Sequence, residues 1–131
     1  MTGYAELDAM IRRLRGLRGM SAAAAREAAP LVEAAAKASA DAGTTPSGAA
    51  WSPTKRDGDR ALTRAASAVS ARATGSVVQI VLVGHHIYHS LGLGRPKRQI
   101  IPDKGDAIPS AIAAAMAEGA RRAFARLMGG S

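Results

Sequence analysis

Cysteine is absent from the chain. That excludes disulfides, thiolate metal sites and a cysteine nucleophile, and it is compatible with folding in a reducing cytoplasm. Aromatic side chains are scarce: one Trp, one Phe and two Tyr make up 3% of the residues. Long apolar runs are missing too. No stretch approaches the roughly 20 continuous apolar residues that a membrane span needs. Residues 1–20 alternate apolar side chains with arginines and lack the apolar core of a signal peptide. A soluble protein with no membrane partner is expected.

The chain has 131 residues, the size of one domain, and 47% are hydrophobic. Much of that fraction is alanine, which buries little area. At roughly 25 cal/mol per Å² of apolar surface, an alanine-rich core stabilises less than a leucine-rich one. A free monomer is expected to be marginal, and burial against copies of itself would stabilise it, because whatever binds only the folded state does so. Eighteen basic residues against ten acidic ones give a net charge of +8. Such a surface attracts polyanions: nucleic acid, anionic lipid or an acidic protein.

Tyr4, Leu7, Ile11, Leu14 and Leu17 recur at spacings of three and four, one face of a helix. Arg12, Arg13, Arg15 and Arg18 fill much of the remainder. After Gly16 and Gly19, Ser21 is a candidate N-cap for a second, alanine-rich helix, 22–40. Pro30 should kink or divide it, since proline lacks the N–H donor and clashes with the preceding turn. Residues 41–60 read as a long loop containing Trp51, expected to be mobile in a free subunit and fixed by neighbours. Residues 62–102 read as a small antiparallel sheet. Its clearest strand is 77–83, apolar on both faces so that both want cover. Residues 69–73 are a weaker partner joined by a turn at Thr74-Gly75, and 99–101 a short edge strand stopped by Pro102. A final helix spans 106–128, with Ile108, Ile112, Ala115, Met116, Phe124, Leu127 and Met128 approximating one stripe. The fold class is α+β in a single domain, 1–131: two N-terminal helices, a long loop, a small antiparallel sheet and a C-terminal helix.

Two segments carry a family resemblance. The first is Gly48-Ala49-Ala50-Trp51-Ser52-Pro53, followed by Lys55, Asp57-Gly58 and Leu62. The second is a strand ending in Val83-Gly84, then Ile87-Tyr88-His89-Ser90-Leu91-Gly92, a basic loop, Ile101-Pro102 and a helix. Together, over about residues 48–127, they resemble the phage virion morphogenesis proteins, the tail-completion and neck group. The chain departs from that pattern in two places. Asp103-Lys104-Gly105 stands where an aromatic residue usually follows Ile-Pro, and Thr63-Arg64-Ala65-Ala66 replaces a Thr-Gly-x-Leu segment. Tail completion, tail termination and head–tail adaptor roles all stay open.

The resemblance implies a subunit without catalytic task or cofactor, assembled in the host cytoplasm. In the virion it would form a ring with copies of itself, expected as a hexamer. The ring would sit between the head connector or adaptor and the tail tube or terminator, around the DNA channel. Trp51, Pro53, Val81, Val83, Tyr88 and Leu91 are the interface candidates. Trp51 suits either a core plug or an interface anchor.

Other chemistry is thin. His85, His86 and His89 would hold zinc only if three or four ligands converged. Directly after a strand, neighbouring histidines point opposite ways, so a polar strand end is expected instead. No Gly-x-Ser-x-Gly elbow exists, and the acids form no evident pair. Gly92-Leu93-Gly94 followed by Arg95-Pro96-Lys97 lacks the Gly-Lys-Ser/Thr ending of a phosphate loop. Two basic clusters are candidate polyanion contacts: Arg12, Arg13 and Arg15, and Arg95, Lys97 and Arg98. They would serve nonspecific contact with packaged DNA, or a nonspecific nucleic-acid-binding module as the alternative function, because phosphate contacts need only cations.

Overall fold

Alanine sets how this chain packs. The computed structural model describes residues 2–53, 62, 64–93, 97–103 and 105–129; within the first helix the side chains of 2–4, 13, 14 and 16–18 are outside the description. Helix α1 (Thr2–Arg18) is followed after Gly19 by helix α2 (Met20–Asp41). A 3₁₀ turn (Ala65–Ala68) leads into strand β1 (Val69–Thr74), which pairs with strand β2 (Val77–Leu82). A short helix α3 (His86–Leu91) and helix α4 (Ser110–Gly129) complete the order. The α+β architecture is that expected from the sequence.

Ala25, Ala28, Ala29, Val32, Ala36 and Ala40 form the buried face of α2, and Ile112, Ala115, Gly119 and Ala123 that of α4. Small residues on both faces let the helix backbones approach closely. A Cβ at Gly119 would lie 2.5–2.6 Å from the Cβ, Cα and N of Ala28, so only glycine fits that crossing. The C-terminal half of α2 packs differently. Ala36 and Ala40 meet Trp51, Ala65, Ala68, Val69, Leu82 and Ile100 in one apolar cluster, whereas Ala28 and Val32 meet Ile112 and Ala115 in another. Ile80 borders both.

The two strands are antiparallel in a register running from Val69↔Leu82 to Thr74↔Val77. Val69, Ala71 and Ala73 stand on the inner face with Val78, Ile80 and Leu82, while Val77 and Gln79 face outward. The outer edge of β1 is closed by α2: the amide of Ala71 donates to Glu33 Oε1 at 2.9 Å. Capping an open strand edge with a carboxylate removes a template for stray pairing.

Several expectations need correction. Pro30 does not divide α2; it sits exposed within a continuous helix, where its missing N–H forfeits one backbone bond. The cap before α2 is Gly19, with no side-chain hydrogen bond, not Ser21. The hairpin turn is Gly75-Ser76, one residue later than expected, because Thr74 still pairs with Val77. Residues 65–68 form a 3₁₀ turn and 99–101 join no strand. The histidine segment is helical, not a strand end. The last helix begins at Ser110, directly after Pro109, with the amide of Ala113 donating to the Pro109 carbonyl at 2.9 Å. Its stripe is also rotated. Ile112, Ala115, Gly119 and Ala123 are buried, whereas Ile108, Met116, Phe124 and Met128 are exposed. Of the loop 41–60, residues 54–60 lie outside the described residues. The earlier part folds onto its own subunit: Thr45 accepts from the Gly48 amide, Thr44 and Ala50 form a bridge, and the Trp51 amide donates to the Gly43 carbonyl at 2.9 Å.

Candidate functional site

Trp51 is the one large aromatic residue of the loop, and the fold draws it inside, 8% exposed. Its indole N–H donates to the Gln99 carbonyl at 2.7 Å. Arg98 returns the contact: Nε donates to the Ser52 carbonyl at 2.8 Å and Nη2 to the Pro53 carbonyl at 3.0 Å. An indole N–H needs a partner when buried, and a guanidinium presents a fork of donors that suits two adjacent carbonyls. Residues 51–53 and 98–99 are thereby tied across 45 to 48 residues of chain. The tryptophan is a core plug, and Arg98, 7% exposed, is a clamp turned inward. It is not available to a polyanion, which corrects the sequence expectation.

Helix α3 anchors the other side of this clamp. The Arg98 amide donates to the His89 carbonyl at 2.9 Å, and the Ile100 amide donates to Ser90 Oγ at 3.1 Å. Ser90 and Ile100 are buried. Gly92 ends α3 in the left-handed conformation, φ 76°, and a Cβ there would sit 2.9 Å from Lys97 Cβ. Glycine at this position both turns the chain and admits the returning segment. The two segments that carry the family resemblance therefore meet, with residues 97–100 between them.

What α3 does not bury it presents outward. Val83, Ile87, Tyr88, Leu91 and Leu93 are each 40–54% exposed. A shallow, mostly apolar cleft of about 260 Å³ opens beside them, lined by Leu82, Ile87, Leu91, Ile101, Pro102 and Asp103. Single exposed apolar residues are ordinary on a protein surface, but five within eleven residues form a patch. Of the interface candidates, Val83, Tyr88 and Leu91 lie on this patch, Val81 is half-buried on β2, Pro53 is exposed beside the Arg98 clamp, and Trp51 is inside. Ile87 and Leu93 are not among the interface candidates read from the sequence, although Ile87, Tyr88 and Leu91 have the spacing of one helix face.

The remaining candidates disperse. Lys97 is exposed but ion-paired with Asp103, and that hydrogen bond, with help from Asp106, raises the ammonium pKa above its ordinary value. The Asp106 carboxyl is held below its usual range, chiefly by the Gln99 side-chain amide and next by the Asp103 backbone amide. Arg12 and Arg15 are exposed on α1; the Arg13 side chain and Arg95 lie outside the described residues. The histidines cluster because the segment is helical, with the His85 ring 4.2 Å from that of His86 and 6.1 Å from that of His89. Burial first, and His85 second, push the His86 pKa below 6.5. Among the described residues no group of three His, Cys, Asp or Glu side chains is arranged to hold a metal ion, and no helix is long and apolar enough to cross a membrane.

No protein-family model, curated protein or solved structure matches this chain.

Proposed function

We propose that this protein is a non-enzymatic structural subunit of a tailed-phage neck or tail. It completes the tail or joins it to the head connector, as a ring of copies around the DNA channel. The observation that carries this reading is the exposed apolar patch of α3. It is built from the same strand–Gly84–Tyr88–Gly92 segment that resembles the tail-completion group, and it gathers five exposed apolar side chains within eleven residues. The Trp51–Arg98 clamp supports the reading by linking that segment, through the Arg98 and Ile100 amides, to the other resembling segment. A preformed patch binds without first losing loop entropy.

Basic residues have a secondary part. Among the described residues, Arg12, Arg15, Arg64, Arg72 and Arg121 are exposed on several elements rather than gathered into one groove. That distribution favours diffuse attraction to DNA inside a channel over a dedicated nucleic-acid-binding module. Electron microscopy of the purified protein, alone and mixed with tails or head connectors, tests the proposal. Rings, or density added at the neck, are expected. A protein that forms no ring and binds neither component would overturn it. DNA affinity that falls with salt at a log–log slope of about −0.9 per phosphate contact, in the absence of any assembly, would favour the nucleic-acid module instead.

A further inference from the structure

Among the described residues, helix α1, 17 residues long, touches the rest of its subunit only sparsely. Helices gain most of their stability by packing an amphipathic face. Leu7, Met10 and Ile11, on one face of α1, are 36–57% exposed. A second face is equally open. On α4, away from the seam with α2, Phe124 and Met128 are 47–50% exposed, Ala113 and Ala117 beside them are exposed too, and Met116, at the border of the cleft it shares with Ile112, Val78 and Ile80, is 37% exposed. Both helices thus carry an apolar face that their own subunit leaves in water.

The two faces cannot readily meet within one subunit. Ala28 lies against Gly119, Val32 against Ile112 and Glu27 pairs with Arg126, so α2 and α4 run antiparallel and the C-terminus of α4 lies beside the start of α2. Helix α1 ends there, linked by Gly19 alone. Folding back would need more chain than that, since helical hairpins use connections of about 2–5 residues. It would also set α1 parallel to α4, bringing Arg12 and Arg15 toward Arg121, Arg122 and Arg126.

We propose that α1 of one copy docks antiparallel on the outward face of α4 of a second copy. The charges favour this pairing and oppose the fold-back. Glu6 and Asp8 flank the apolar face of α1 near its start, and the arginines of α4 lie near its end. Glu118 is shared between Arg121 and Arg122, leaving a positive charge over. In the register that sets Glu6 opposite Arg121, Leu7 falls over Ala120, Met10 over Ala117 and Ile11 over Met116, mostly large side chains onto small ones. Arg12 and Arg15 are carried away from the other arginines, and the helix dipoles oppose. Because the two faces differ, the contact is head-to-tail, the kind that closes into rings. The inference rests on the ring reading and names its interface.

The absence of cysteine gives a clean test. Met10→Cys and Ala117→Cys, both at exposed positions, are made in separate full-length chains, mixed and mildly oxidised; Met10→Cys mixed with Gln79→Cys, on the outward face of the sheet, is the control. A covalent dimer well above the control is expected. Glu6→Arg alone should weaken association by about tenfold, as like charges at an interface do, and Glu6→Arg mixed with Arg121→Glu chains should restore it. Cross-linking no greater than the control overturns the α1–α4 contact, even if rings are seen, and leaves the ring reading standing on another surface. Efficient cross-linking with only a two-subunit species in sedimentation equilibrium of the unmodified protein keeps the contact and removes the ring.

Discussion

The two halves of α2 are held by opposite means. Toward its C-terminus, large side chains fill the space between helix and sheet: Trp51, Val69, Leu82 and Ile100 pack on Ala36 and Ala40. Toward its N-terminus, hardly any large side chain intervenes, and Ala28 meets Gly119 nearly backbone to backbone. The first region is damaged by taking volume away, the second by adding it. A chain so poor in aromatic residues can use its single tryptophan only once, and elsewhere close approach must stand in for bulk.

This contrast sets the order of expected effects. Trp51→Ala empties the first region and should cost about 3–5 kcal/mol, read from urea denaturation; Trp51→Phe keeps most of the volume and should recover the larger part. Gly119→Val does the reverse in the second region. Its added carbons meet the Ala28 backbone rather than a movable side chain, so a loss of about 1–3 kcal/mol is expected, and Ala28→Gly should partly rescue it. Arg98→Met strips the Ser52 and Pro53 carbonyls of their donors and should cost about 1–3 kcal/mol, with proteolytic cleavage rising first around residue 53. Glu33→Ala uncaps the Ala71 amide, with about 1 kcal/mol expected.

The pH dependence is the smallest effect and has a definite sign. Burial, then His85, depresses the His86 pKa in the folded protein. Between that lowered value and the ordinary 6.5 the unfolded chain binds the extra proton, so stability is complete above 6.5 and falls as pH drops through this window. His85 faces His86 from its own segment, and His89 in turn meets His85. His86→Gln should flatten thermal stability between pH 5 and 7, an interval that brackets the reference value. An unchanged slope would mean that another group carries the pH response.

Periodicity made the long helices and the hairpin legible, because alanine-rich repeats and an unbroken Val/Ile/Leu run leave few alternatives. Boundaries and breaks were less legible. Pro30 does not end α2, because the packing of the helix on either side of it outweighs one missing backbone bond. The histidine segment reads as a strand tail because β2 precedes it; the residue that decides otherwise is Gly92, which caps a helix. The site was half legible. Tyr88, Leu91 and Val83 were singled out and do lie on one exposed patch. Arg98 was read by its charge, whereas its role depends on two carbonyls 45 and 46 residues away. The α4 stripe was misread because Gly119 has no side chain to mark the buried face, although it makes the tightest contact there.

The claim beneath all of this is that the subunit leaves apolar surface for its own copies to cover. Sedimentation equilibrium across a wide concentration range tests it most directly. A discrete oligomer is predicted, with a Tm that rises as protein concentration rises, because association stabilises only the folded chain. A single 13.4 kDa species at every concentration, melting at one fixed temperature, would contradict it.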